Sequence, residues 1–332
     1  MTRGFWTRSS GIRNTAISSD TLYIGVPTYN RPDMVRETVD SLRKSEFSDF
    51  RVVVSDNRSE TSAQESVKAF IDSLGDPRFS FVVQPENGGE YGQGRFFMKD
   101  SEGCQLFAIL HDDDLLDPGY LGRAVDRLRE HDDAALFIAN PRLVDEALQV
   151  SEALTAEYLQ EHGRGERQTG LFPILETLLD TGFTPISGTV FRRKNLVQSG
   201  FVDSDCVGNF PFELNVMLRL GDLSCKGWFE DETLLSVRYH KGSLRNTLGL
   251  MSNTAVVSTM LKLLDRRRYT GAPEARRKVL VARLHRAMAE IHAKDGALAE
   301  AKAAIKSAIS TRPKSANAWK TCFKIYLEGA RG

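Results

Sequence analysis

The 332-residue sequence has no apolar run of about 18 residues, the length that a membrane-crossing helix needs, so no transmembrane span is expected. It has little cysteine: Cys104, Cys206, Cys225 and Cys322 stand far apart and form no C-x-x-C pair. That argues against a disulfide framework or a structural zinc, and it suits a reducing, cytoplasmic setting. Neither charge is in surplus, with 44 Lys+Arg against 44 Asp+Glu. The overall charge therefore asks for no nucleic-acid partner and no anionic membrane. Residues 1–19 carry Arg3, Arg8 and Arg13 but neither an acidic residue nor an apolar core. They are not a secretory signal and read as a disordered basic leader. What remains is ordinary for a globular protein: 41% apolar and 27% charged residues, in a length that suits one large domain and a small one.

Against that background one stretch stands out. The apolar run Leu106-Phe107-Ala108-Ile109-Leu110 has strand length and ends in His111 and three adjacent carboxylates, Asp112, Asp113 and Asp114. Leu115-Leu116, an Asp117-Pro118 turn signal and a helical pattern from Tyr120 follow. Carboxylates in a row repel one another. A solvated acidic turn is the plain reading. A divalent cation with hard oxygen ligands is the sharper one, and magnesium or manganese would suit a phosphate-bearing substrate.

The preceding sequence decides between them. Leu22–Val26, Phe50–Val54 and Phe79–Val83 read as short buried strands. Helical spacing follows the first two, through Met34, Val35, Val39 and Leu42, then Val67, Phe70, Ile71 and Leu74, with Asp33 as a possible cap. A third helix is expected to end near Ser101. This alternation implies an α/β domain with a mainly parallel sheet, in which ligands bind at the carboxyl ends of strands. Polar loops lie at those ends: Thr28-Tyr29-Asn30, Asp56, Asn87-Gly88-Gly89 and the acidic run. Tyr29 offers a ring for a base. Asp56 either accepts a base imide N–H or caps a turn. Glycines 88, 89, 92 and 94 allow close backbone approach to a ligand, though their spacing is neither a P-loop nor G-x-G-x-x-G. Arg95 either reaches a base, ribose or phosphate or is a surface arginine.

Taken together, Val26-Pro27-Thr28-Tyr29-Asn30-Arg31, Val53-Val54-Ser55-Asp56-Asn57, Asn87-Gly88-Gly89 and Leu110–Pro118 resemble the family-two inverting glycosyltransferases of GT-A fold, over roughly residues 20–240. The resemblance implies a Rossmann-like GT-A domain over 20–245 and a nucleoside-diphosphate-sugar donor. It assigns the donor to Pro27, Thr28, Tyr29, Asn30, Arg31, Asp56, Asn87, Gly88, Arg95 and Asp112. It places a Mg²⁺ or Mn²⁺ cofactor on a subset of the three aspartates, Asp113 first, then Asp114 and Asp112, with His240 as a further ligand or a diphosphate contact. The family's motif begins with aspartate where this chain has His111. Adjacent strand residues point to opposite faces, so the three aspartates cannot all bind unless the chain turns there.

Further along, Ala135–Ala139 reads as a strand, 145–170 as a mobile segment or short helix, and 171–182 as a short amphipathic helix. Ser187–Arg193 resembles the family's strand leading to the acceptor region. Phe210–Leu220 resembles the helix that the family opens with an acidic pair, whose second member is the general base. Glu213 takes that register, while Phe212 replaces the first acid. One carboxylate suffices to take the proton of an acceptor hydroxyl. The plainer role for Glu213 is a first-turn glutamate favoured by the helix dipole. Asp203, Asp205 and Asp231 are the alternatives for the base. Leu234–Ser243 resembles the fold's late strand and loop, with Arg238 and Ser243 as phosphate or lid contacts.

Residues 250–332 turn rich in Ala, Lys, Arg and Leu at helical spacing. Gly296, Ala301, Ile305, Ala308 and Pro313 fall in tetratricopeptide register, and Trp319 and Tyr326 begin another unit. Stable arrays need about three repeats, so these helices are expected to cap the catalytic domain or to form a docking or homo-oligomer surface. The expected activity is metal-dependent, inverting sugar transfer to an unidentified acceptor hydroxyl or amine. A nucleotidyltransferase is disfavoured, because Pro27–Pro32 is not the glycine-rich basic loop it needs. The other rival is a degenerate transferase fold acting as a scaffold through its C-terminal helices.

Overall fold

The computed structural model describes residues 22–182, 185–209, 211–239 and 253–328. The basic leader and His240 fall outside the described residues. The expected α/β architecture is present. The elements of the first half are β1 (Leu22–Thr28), α1 (Pro32–Arg43), β2 (Phe50–Asp56), α2 (Thr61–Ser73), β3 (Phe79–Val83), α3 (Gly89–Asp100) and β4 (Leu106–Ile109). Then come β5 (Leu115–Leu116), α4 (Tyr120–Glu130), β6 (Ala134–Val144), α5 (Glu152–Glu161), β7 (Gly170–Pro173), α6 (Ile174–Thr181), β8 (Val190–Arg192) and α7 (Arg193–Ser199). The last elements are α8 (Phe212–Asp222), β9 (Lys226–Arg238), α9 (Thr254–Asp265), α10 (Gly271–Lys294), α11 (Leu298–Thr311) and α12 (Ala316–Glu328).

One sheet runs β3-β2-β1-β4-β8-β6-β9-β5, with β7 also on β9. The first four strands in that order are parallel, β8 is antiparallel to both β4 and β6, and β6 and β9 are parallel. Thr28 lies opposite Asp56, and Asp56 opposite Val83. The carboxyl ends of β1, β2 and β3 therefore form one edge, and the chain leaves β4 at the same edge.

Alternation along the strands sends side chains into two cores. Leu22, Ile24, Val52 and Val54 face α1, α2 and α4, while Tyr23, Val53, Phe107 and Ile109 face α3, α6 and α8. The second core also takes Val257, Leu261, Val281 and Leu284 from α9 and α10, so these helices cap the sheet domain. A separate small core joins α10, α11 and α12 through Ala289, Ala301, Ile305, Ala308, Ala318 and Ile325. Of the residues in repeat register, Ala301, Ile305 and Ala308 are buried there, where alanine lets helix axes approach closely, whereas Trp319 and Tyr326 stay exposed and their neighbours Ala318 and Ile325 take the inner face.

Several local expectations change. Asp33 is not the cap of α1: the helix begins at Pro32, whose missing N–H costs nothing there, and Asp33 lies inside the first turn. Segment 171–182 is not all helix, because Gly170–Pro173 pairs with β9 before α6 begins. The 145–170 segment includes α5 and the fully buried Arg164, whose Nη1 donates to the carbonyl of Ala139 at 3.1 Å. The late strand starts at Lys226 rather than Leu234, and its pairing with β6 slips at Asn140 and Pro141, where proline cannot supply a ladder hydrogen bond.

Phe212 is a core aromatic, edge-on to Tyr91 at 5.3 Å and to Phe201 at 5.8 Å. Its ring presses on Gly94 of α3, where an added Cβ would lie 2.5 Å from the ring. Gly94→Val should therefore cost about 2 kcal/mol through overpacking. Urea denaturation measures it, and unchanged stability would mean that α3 and α8 do not meet this closely.

Candidate active site

β4 stops at Ile109 because the chain turns. The Leu110 N–H still bonds the Gly25 carbonyl at 3.0 Å, but the Asp114 N–H closes back on the His111 carbonyl at 3.2 Å. This turn resolves the conflict of a straight strand. Asp112 points toward β1, accepting from Thr28 Oγ1 at 2.7 Å and from Arg31 Nη1 at 3.3 Å. His111, Asp113 and Asp114 come together instead, with one ligand atom from each lying within 4.8 Å of the others. Octahedral magnesium with ligands at 2.0–2.1 Å sets trans ligand atoms about 4.2 Å apart and cis ones about 2.9 Å apart, so these side chains would close in on a bound ion. The donor set, two buried carboxylates beside an imidazole, fits such an ion. His111 thus joins the cluster at the position where the sequence departs from the family motif.

Fixed partners hold the acidic turn. Ser187, just before β8, donates to Asp114 Oδ2 at 2.5 Å and accepts from the His111 N–H at 3.0 Å. The N–H of Arg238 donates to Asp114 Oδ1 at 3.2 Å. The Arg238 guanidinium donates to the Asp113 carbonyl at 3.2 Å and pairs with Glu37. It is buried and buttresses the turn, a different task from the phosphate or lid contact expected of it. Arg31 pairs with Asp113 at 3.1 Å as well as with Asp112, supplying positive charge at the cluster.

Glu213 enters through the same segment. It sits in the first turn of α8, and its Oε1 accepts the N–H of Ile186 at 3.1 Å. Ile186 precedes the Ser187 that bonds Asp114. Two consecutive residues therefore tie the candidate base to the acidic turn.

The loops after β1, β2 and β3 brace one another. Asn30 has the left-handed φ of 55° that asparagine tolerates; its N–H donates to Ser59 Oγ at 2.8 Å, and its Oδ1 accepts from the Glu60 N–H at 2.9 Å. Asp56 is buried and Oδ1 accepts the Ser59 N–H at 2.7 Å, so the turn-cap role is filled. Asn57 joins Asn87 and Gly88 at 2.9 and 3.0 Å. Gly89 has a φ of 61°, and an added Cβ would lie 2.5 Å from the backbone of Gly208, so only glycine fits. Pro27 lies in β1 beside Ser55, and Tyr29 is exposed just past the strand end. Arg95 is not turned to this cluster: its Nη2 donates to the carbonyls of Asp203 and Cys206 at 3.1 and 2.7 Å. Asp203 and Asp205 are engaged by Arg266, and Asp231 accepts from Asn140, so the alternatives to Glu213 serve structural contacts.

Crowding in a desolvated site shifts the acids. Burial first, then repulsion from Asp113, pushes Asp112 up to about 6 and Asp114 up to about 7. Burial also pushes Glu90 up to about 8, with His111 opposing the shift and Glu213 adding to it. Desolvation opposes a charge on His111, but Asp114, Asp113, Glu90 and Glu213 outweigh it and raise its pKa. Glu90 escaped the sequence reading, although its place directly after Asn87-Gly88-Gly89 was a usable signal. Ser187 escaped as an individual residue because its partners are 73 and 76 positions away.

The sheet order, the loops at its carboxyl edge and the acidic turn define a GT-A fold. The sequence profile of glycosyl transferase family 2 matches residues 23–194, more than half of the chain, and the chain belongs to that family. A search of curated proteins finds no match. Among solved structures, S. aureus TarS 1–349 is similar at 15% identity and a TM-score of 0.58, spanning 89% of this chain and 81% of that one. TarS 1–349 in complex with UDP-GlcNAc aligns at 13% identity and a TM-score of 0.59, over 88% and 81%. Mannosyltransferase PcManGT from Pyrobaculum calidifontis, in complex with GDP-Man and Mn²⁺, aligns at 15% and 0.55, over 95% and 84%. At these identities the likeness is one of fold.

A carboxyl raised above its unfolded pKa stabilises the fold while protonated, and that contribution is lost as pH rises through the folded value. Without metal, Asp112, Asp114 and Glu90 should therefore lower the melting temperature as pH rises from about 5 to about 8. Mn²⁺ or Mg²⁺ at a hundredfold excess over its dissociation constant should restore about 2.7 kcal/mol at pH 8 and much less at pH 5. Scanning fluorimetry with EDTA or metal reads both effects; an equal metal response at the two pH values would count against ligation by these acids.

Proposed function

We propose that this chain transfers a sugar from a nucleoside-diphosphate-sugar to an acceptor hydroxyl or amine, inverting the anomeric centre in a single displacement. The carrying observation is the link from Glu213 through Ile186 and Ser187 to Asp114, which sets a candidate base beside a candidate metal site. The family membership supports the reading, as do the UDP-GlcNAc and GDP-Man complexes of the two similar structures. Pro27, Thr28, Tyr29, Asn30 and Asp56 are the proposed base and ribose side of the donor pocket, with Asn87, Gly88 and Asp112 at its floor. Arg31 at the acidic turn is a candidate for the diphosphate. Asp113 and Asp114 would hold the ion, with His111 beside them and His240 outside the described residues; Mn²⁺ in the PcManGT complex makes manganese or magnesium the natural choice.

When bound there, the ion would supply charge neutralisation for the departing diphosphate. Glu213 takes the acceptor proton as the acceptor atom bonds the anomeric carbon and the bond from that carbon to the diphosphate oxygen breaks. The replacement of the family's first acid by Phe212 leaves this role intact, because Phe212 faces the core. The four unpaired cysteines fit work in the cytoplasm.

Calorimetric titration of UDP, dTDP and GDP, each with Mn²⁺ and with EDTA, is the first test. Metal-dependent binding of one of them supports the transferase and identifies the base; binding of none assigns the chain to the scaffold rival. Asp113→Ala should abolish transfer and weaken diphosphate binding in the presence of metal. Glu213→Gln should lower turnover about 10²- to 10⁴-fold with diphosphate binding nearly unchanged. Near-full turnover in Glu213→Gln would remove the base assignment.

A further inference from the structure

The balanced total charge hides a segregated segment. Between Ala301 and Leu327 the sequence carries Lys302, Lys306, Arg312, Lys314, Lys320 and Lys324, and no aspartate or glutamate. The same segment makes up most of α11 and α12, with Glu300 and Glu328 just outside it. The inner face of α12 buries Ala318 and Ile325 in the small helical core. Its outer face leaves Trp319, Phe323, Tyr326 and Leu327 at 54%, 69%, 53% and 44% exposure. Their spacing places them on one side of a helix. Trp319, Cys322, Phe323 and Tyr326 line a shallow apolar groove there. The indole N–H of Trp319 is satisfied by the Pro313 carbonyl at 2.8 Å, next to Lys314, and Lys302 Nζ lies 5.0 Å from the Tyr326 ring centroid.

We propose that this outer face of α12 docks on an anionic lipid surface. Aromatic and leucine side chains on one face, rimmed by lysines with long apolar stems, are what the headgroup boundary of a bilayer accommodates. The cations supply attraction to acidic headgroups, and the acid-free stretch removes the opposing repulsion. A second copy is a poorer occupant, because two such faces would bring their lysine rims together. The inference is independent of the transferase reading, since none of these residues touches the acidic turn.

The test is co-sedimentation of the full chain with vesicles of phosphatidylcholine alone and of phosphatidylcholine mixed with phosphatidylglycerol. Binding should require the anionic lipid and weaken with salt. Trp319→Ala with Phe323→Ala, and separately Lys314→Glu with Lys320→Glu, should each weaken it about tenfold or more. All four positions are exposed, and an unchanged thermal melt and unchanged nucleoside-diphosphate affinity confirm that the fold and the distant site persist. Equal binding to neutral vesicles, or wild-type binding by both double variants, overturns the proposal. So does a wild-type dimer that the Trp319/Phe323 variant makes monomeric, which assigns the face to a second copy. Retention on a single-stranded oligonucleotide without vesicle binding overturns it too, assigning the face to nucleic acid.

Discussion

The organising constraint is the mutual repulsion of carboxylates at the end of β4. Asp112, Asp113 and Asp114 are all nearly buried, where like charges cost most. The surroundings are arranged to hold them regardless. Thr28 and Arg31 come from the end of β1, Ser187 from the approach to β8, and Arg238 from the end of β9. Each belongs to a different element, and each would have no reason to point here without the acids. Such crowding of buried carboxylates stores unfavourable electrostatic energy, which a bound cation would relieve.

The sheet makes that convergence possible. Parallel strands deliver the loops of β1, β2 and β3 to one edge, and the asparagines at positions 30, 57 and 87 bind those loops to one another. The antiparallel β8 then crosses between β4 and β6, bringing Ser187 next to Ile109 and His111. Ile186 hands its N–H to Glu213 at the start of α8. The acidic turn and the candidate base thus meet through a single backbone segment. Phe212, adjacent to Glu213, faces the other way into an aromatic cluster with Tyr91 and Phe201. Consecutive residues of one helical turn thus serve the site and the core.

The C-terminal helices divide in the same manner. α9 and α10 complete the core on one face of the sheet, so they belong energetically to the catalytic domain. α11 and α12 are held by small alanines and leave their basic, aromatic outer side to solvent. Net neutrality arises because the acids lie elsewhere, many of them at the site and in the ion pairs that fasten α9 to the loop after α7.

The sequence by itself determined the strands and helices of the first half and their order. Apolar runs of strand length, helical periodicity and turn residues are local signals, and the polar loops at strand ends followed from them. Asp113, Asp114 and Glu213 could likewise be singled out as candidates, because their types and register sit inside local motifs. Tertiary structure alone decided what depends on distant partners. That His111 joins the acidic cluster required a turn closed by Ser187. That Arg238 buttresses the turn, and that Arg95 holds the 203–206 loop, required neighbours 124 and 111 positions away. The raised pKa of Glu90 came from burial, with the distant His111 and Glu213 as its charged neighbours. A side chain's type is written locally, but its partners and its dielectric surroundings are set only when remote segments pack around it.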